Sequence, residues 1–158
     1  MNVCRGKYAL GNGRWLEVTE WKGELRVDLR EWMNDTPTKK GISLTLTRWK
    51  NFIDNIDSLD QALKDNHSYD NHLGGNVYCT VTEGSLCVDI RQYWKPEEKV
   101  VPTRKGLCLR PIEYTTLRGL IRQIEQVLPE LNTVVPCYLR SDHMNLLGAL
   151  QCPECTPQ

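Results

Sequence analysis

"LRVDLREW" at residues 25–32 returns as "LCVDIRQY" at 86–93. In the first copy Leu25, Val27 and Leu29 alternate with Arg26, Asp28 and Arg30, and in the second Leu86, Val88 and Ile90 keep the same rhythm. Alternation with a period of two is the signature of a strand with one buried face. A second shared segment follows in the same order, "PTKKGISL" at 37–44 and "PTRKGLCL" at 102–109, and "LEVTE" at 16–20 precedes them as "CTVTE" does at 79–83. Several motifs repeated in one order indicate an internal duplication. The offset drifts between motifs, which places small insertions and deletions at the turns, where they cost least.

Each copy then leads into a helical pattern. Trp49, Phe52, Ile53, Ile56, Leu59 and Leu63 recur on one face, as do Tyr114, Leu117, Leu120, Ile121, Ile124 and Leu128. Thr45 is placed to cap the first helix, and Pro111 with Glu113 suits the first turn of the second. "NHSYDNH" at 66–72 is polar and aperiodic and reads as a linker. The predicted organisation is a first unit at 1–65, the linker, a second unit at 73–130 and a tail at 131–158. The fold class is α+β, with two units of about four antiparallel strands and one helix each. A unit of this size buries too little surface to be comfortable alone. The two are therefore expected to pair as an intramolecular pseudo-dimer with helices packed between the sheets.

Composition narrows the function classes. No apolar stretch approaches the roughly 20 residues of a spanning helix, and no leader pattern opens the chain, so a soluble protein without membrane partners is expected. Seven scattered cysteines argue against a complete disulfide framework, and Cys79, Cys87 and Cys108 read as small apolar residues within strands. Formal net charge is zero, yet residues 1–53 carry ten bases against six acids, and 54–70 carry one base against five acids. That polarity suits a groove binder, and a solvated helix face would give the same count.

The polar faces of the central strands carry Arg30 with Trp32, and Arg91 with Tyr93, each a cation two residues from an aromatic and on the same face. A phosphate contact beside a stacking platform is how single-strand binders work. An internal Asp28–Arg30 ion pair with cross-strand aromatic packing is the plainer alternative. Lys39, Lys40 and Gly41, with Arg104, Lys105 and Gly106, read as two basic tight turns where glycine lets the backbone approach closely. Trp15, Trp21, Tyr78 and Trp94 add aromatics near strand ends.

The order "VDLREW", "PTKKGISL" and an amphipathic helix near Trp49 resembles the positive cofactor four family of transcriptional coactivators, over residues 8–65 and again 73–128. The resemblance implies a curved four-stranded sheet plus a helix, pairing to form channels for single-stranded or melted DNA in transcription or repair. It implies that Trp21, Lys22, Arg30, Lys39 and Lys40 contact nucleic acid in the first copy, and Arg91, Trp94, Arg104 and Lys105 in the second. Single-stranded DNA, RNA as an alternative, and transcription or repair proteins are the partners it implies, and the nucleus is the location. Where such proteins pair as homodimers, the tandem copies here supply both halves in one chain. Glu24 stands where a base is usual, Met33 stands where Trp94 keeps a tryptophan, and the second copy lacks counterparts of Trp21 and Lys22. Two unequal binding surfaces are expected.

In the tail, Cys137, His143, Cys152 and Cys155 form a C-x5-H-x8-C-x2-C series, and Cys-x-x-Cys lets two thiolates clamp one zinc ion. The alternative is thiols that ligate no metal in a short helix with Leu146, Leu147 and Leu150. No cofactor is otherwise required. Catalysis has little support, since Glu97 and Glu98 fall in a loop and His67 and His72 fall in the linker, where solvated histidines are expected. A non-enzymatic nucleic-acid binder is the leading expectation, and a protein-interaction module that has lost its groove is the alternative.

Overall fold

The computed structural model describes residues 2–135 together with 152, 154 and 155. The first repeat is a meander of β1 (Asn2–Gly11), β2 (Arg14–Trp21), β3 (Glu24–Met33) and β4 (Thr36–Thr45), followed by α1 (Leu46–Asp54) and α2 (Ile56–Asp65). The second is β5 (Tyr69–Gly74), β6 (Val77–Val81), β7 (Val88–Trp94) and β8 (Val101–Leu109), followed by α3 (Pro111–Val127) and a 3-10 turn at Pro129–Thr133. Each sheet is antiparallel with its strands in chain order.

Alternation does what the sequence predicts, except at Leu86 and Cys87, which precede β7 rather than lying in it and leave Leu86 exposed. Leu16, Val18, Val27, Leu29, Ile42 and Leu44 point inward from one sheet, and Val77, Cys79, Val88, Ile90, Leu107 and Leu109 from the other, all nearly or fully buried. They join Trp49, Phe52, Leu59, Tyr114, Leu117 and Ile124 in one continuous core. The pairing of repeats is therefore a shared interior, which supplies the burial that neither half has alone.

The repeats meet along β4 and β8, which run side by side without backbone hydrogen bonding between the sheets. Helices cross over as well: α1 packs on β5 and α3 on β1, each the first strand of the other repeat. Where α2 meets α3, the Tyr114 hydroxyl donates to Asp60 at 2.5 Å and the Arg118 guanidinium donates to the same carboxylate at 2.9 Å.

Three further expectations need correction. The linker is shorter than 66–72, because Tyr69–Gly74 forms β5. This outer strand buries only Leu73 and Gly74 fully, so its polar sequence shows no alternation to read. His72 is consequently half-buried rather than solvated: its Nε2 accepts from the Asn76 N–H at 3.1 Å, and its ring lies 4.9 Å from that of Tyr78. The first helix is broken at Asn55, whose side chain donates to the Asn51 carbonyl at 2.8 Å and whose N–H turns to the Phe52 carbonyl. The apolar face runs on through the break into Ile56 and Leu59, which is why periodicity alone does not show it.

The third concerns the basic doublets. Lys39, Lys40 and Gly41 lie inside β4, and Arg104, Lys105 and Gly106 inside β8, not on turns. The reversal between β3 and β4 is made by Asn34 and Asp35, both in the left-handed region, as a two-residue hairpin turn demands. Pro37 and Pro102 suggest a break in the sequence. Both β4 and β8 end their sheets, and an outermost strand tolerates proline.

Candidate nucleic-acid interface

The two central arginines are built identically. Arg30 donates from Nε and Nη2 to both oxygens of Asp28, at 3.1 and 3.0 Å, and from Nη1 to the Thr38 carbonyl at 2.9 Å. Arg91 repeats the arrangement with Asp89, at 3.0 Å twice, and with the Thr103 carbonyl at 2.8 Å. The bond to Asp89 raises the Arg91 pKa above the ordinary guanidinium value. Each guanidinium is thus fixed against its own sheet, with part of its five-donor fork still unused.

Gly41 and Gly106 make room for this. A Cβ on Gly41 would come 2.5 Å from the Leu29 carbonyl oxygen and 2.8 Å from the Arg30 Cα; one on Gly106 would come 2.8 Å from the Arg91 Cβ. The close approach these glycines permit is therefore between neighbouring strands. Thr38 and Thr103 complete the motif. Their hydroxyls donate to the carbonyls of Glu31 and Gln92, at 2.7 and 2.6 Å, and accept from the N–H of Lys40 and Lys105. These bonds pin the bulges between Arg30 and Trp32 and between Arg91 and Tyr93. The threonines stand in both "PTKKG" and "PTRKG", and that recurrence is the signal that finds them.

Because β4 lies beside β8, the basic segments of the two repeats converge. One cleft of about 370 Å³ is lined by Lys39, Lys40, Arg91, Arg104 and Gly106. A second, of about 660 Å³, runs along Arg30, Gly41, Ser43, Gln92 and Lys105 and shares Lys39 and Arg104 with the first. Among the described residues, Lys39, Arg104 and Lys105 take no ion pair, and Lys40 reaches only Glu31, at 3.5 Å. The result is a composite groove to which both halves contribute uncommitted cations.

Other predicted site residues lie elsewhere. Trp21 and Lys22 stand at the β2–β3 turn, with Trp21 half-exposed and the Lys22 ammonium 4.4 Å from its ring centre. The β2–β3 turn is at the opposite end of the sheet from the β3–β4 hairpin. Trp94 is exposed at the end of β7, opposite Val101. Trp32 lies on the outer sheet face with the Lys7 ammonium 3.4 Å from its ring centre; the same ammonium is 4.8 Å from Trp15. Tyr93 meets Tyr78 edge-on at 5.2 Å. Lys7 escaped the sequence reading because β1 carries no clear alternation.

Of the zinc series, Cys137 and His143 lie outside the described residues, as do Leu146, Leu147 and Leu150. Among the described residues no cluster of His, Cys, Asp and Glu is arranged to hold a metal ion, and no helix is long and apolar enough to cross a membrane.

Two sheets of one design, paired so that their basic strands face a common groove, match a known family profile twice. The Transcriptional Coactivator p15 (PC4) family matches residues 8–55 and again 72–120, together more than half of the chain. The chain belongs to this family. The two matched segments fall on the two repeats, so the chain carries the PC4 unit twice, and each match contains one complete Asp–Arg–Thr–Gly motif. The chain is also similar to the RNA polymerase II transcriptional coactivator KELP of Arabidopsis thaliana, 35% identical over 66 residues, 39% of this chain and 38% of that protein. It thus spans well under half the length of this curated relative. No solved structure matches the chain.

Proposed function

We propose that the chain binds single-stranded or melted DNA in the composite groove between its repeats and acts in the nucleus as a transcriptional coactivator. RNA is the alternative strand, and transcription or repair proteins are the further partners. The observation that carries this reading is the convergence of Lys39, Lys40, Arg104 and Lys105 from two repeats on adjoining clefts. The four cations rise from rigid strands, so their backbone positions are fixed before a ligand arrives, while their exposed side chains remain free to meet a phosphate chain. Tyr78 and Tyr93 offer ring faces and edges on the second sheet, where each stacked base contributes about 1–3 kcal/mol.

A protein-interaction role has one observation in its favour: Asp28 and Asp89 absorb much of the donor capacity of Arg30 and Arg91. The two readings separate in a fluorescence-anisotropy titration of the full chain with one oligonucleotide, single-stranded and as its duplex. Preference for the single strand supports the DNA-binding reading, and absence of binding to either form contradicts it.

A further inference from the structure

The two sheets present different chemistry on equivalent outer faces. The bulges between Ala9 and Gly11 and between His72 and Gly74 place the repeats in register. Lys7 opposes Glu17 in the first sheet where Asp70 opposes Thr80 in the second. Trp15 and Trp32 likewise give way to Tyr78 and Tyr93 at the equivalent positions. In the first sheet the Lys7 ammonium sits over both indole rings and covers them. In the second, no lysine stands there, and a pocket of about 320 Å³ opens between Asp70, Tyr78, Thr80, Tyr93 and Val100. That volume is at the lower end of the range for small-ligand sites.

The polar groups of the pocket select what enters. Asp70 is exposed and takes no ion pair among the described residues, unlike Asp28 and Asp89, which are bound by their arginines. An unpaired carboxylate repels phosphate, so the pocket does not take the backbone of a strand. The Asp70 carboxylate accepts hydrogen bonds and offers none, while Thr80 beside it supplies a hydroxyl. Two phenol rings set edge to face at 5.2 Å give a flat group an apolar wall. A planar ring bearing an amino group satisfies all three.

Resting on the DNA-binding reading above, we infer that this pocket takes one base of a bound single strand and prefers cytosine to thymine. Cytosine presents its N4 amino group as a donor to the Asp70 carboxylate, the pairing that acidic side chains make with this base. Thymine presents the O4 carbonyl in the same place, oxygen against carboxylate, and leaves Asp70 desolvated without a partner. The first repeat, with Lys7 in the equivalent position, has no such preference. The chain is thus a binder of one strand with unequal halves, one reading charge and the other reading a base.

Full-length wild type and an Asp70→Asn variant are titrated against labelled oligo(dC) and oligo(dT) of equal length near pH 7.5, at two salt concentrations. Asn offers both a donor and an acceptor, and its exposed position leaves the fold undisturbed. Wild type is expected to bind oligo(dC) about tenfold more tightly than oligo(dT), on the order of one hydrogen bond to a charged group. In Asp70→Asn that ratio should fall to about one as affinity for oligo(dT) rises. Added salt should weaken both oligonucleotides and leave the wild-type ratio in place. Equal binding of the two by wild type, or a ratio unchanged in the variant, overturns the base pocket while leaving strand binding intact. Binding of neither overturns the DNA-binding reading and the pocket with it.

Discussion

Arg14, at the start of β2, donates to the Glu113 carboxylate of α3 at 2.7 Å, joining the two repeats through an ion pair with almost no exposure to solvent. The same guanidinium donates to the Cys108 carbonyl and lies 3.6 Å from Glu31, while Asn12 also donates to Glu113. Val77 and Arg48 hold the equivalent positions in the other half, so this pairing is made once. Breaking a buried pair by removing one partner leaves a bare charge and costs about 3–5 kcal/mol. Urea unfolding of Arg14→Val, Glu113→Gln and the double variant should give large single losses and a double loss well below their sum. Additive losses would show that the two residues do not act as a pair.

Acid should find the same bond. Burial pushes the Glu113 carboxyl up, but hydrogen bonds from Asn12, the Arg110 N–H and Arg14, with the Arg14 charge, outweigh it and hold the pKa below the ordinary value. A depressed folded pKa contributes stability that is present above the unfolded pKa of about 4.3 and lost as pH falls through the folded value. Stability of the wild type should therefore drop below about pH 4 by an amount that Glu113→Gln no longer shows. Thermal melts of both proteins between pH 3 and 7 measure it.

Two glycines separate room from strain. Gly41→Ala forces a Cβ against the Leu29 carbonyl and Arg30 backbone, and should cost about 1–3 kcal/mol while displacing the Arg30 fork. Gly119, exposed within α3, has nothing within 4 Å of a built Cβ. Gly119→Ala should add about 0.5–1 kcal/mol by removing a helix-interior glycine. Chemical denaturation of the two variants should therefore shift in opposite directions.

Glu154 of the tail returns to the body. Its carboxylate accepts from Arg48 at 2.7 and 2.9 Å, and its carbonyl accepts from the Gly75 N–H at 3.2 Å. A Cβ on Gly74 would lie 2.2 Å from this carboxylate and one on Gly75 would lie 2.0 Å from the Arg48 guanidinium, so the Gly74–Gly75 turn is shaped for the pair. Glu154→Gln should speed hydrogen exchange at the Gly75 amide several-fold, with global stability falling by about 1 kcal/mol or less.

Alternating strands, the amphipathic helices and the duplication were readable because each rests on a local period that tertiary context reinforced. Val27, Leu29, Val88 and Ile90 are all fully buried as that period requires. What escaped rests on other physics. β5 is a short outer strand in which polar Asn71 and His72 are half-buried beside Tyr69 and Leu73, so no apolar–polar alternation marks it. The extension of β4 past Pro37 depends on its having no hydrogen-bonded strand on that side. Nothing in the local pattern marks Arg14 as interior, and only its contact with Glu113, across the repeat boundary, makes it so. The groove was legible as two basic doublets, whereas their convergence depends on β4 lying beside β8, which no local pattern encodes.

The salt dependence of single-strand affinity, for wild type and a Lys39→Glu, Lys40→Glu, Arg104→Glu, Lys105→Glu variant, tests the central claim most directly. Each phosphate contact contributes about 0.7 to the slope of log affinity against log salt. If the four cations form one groove, wild type should show a steep slope, and the variant should lose about 100-fold or more in affinity at low salt and most of that slope. Equal affinity and equal slope in the two proteins would contradict the composite groove and leave the paired repeats as a scaffold for other proteins.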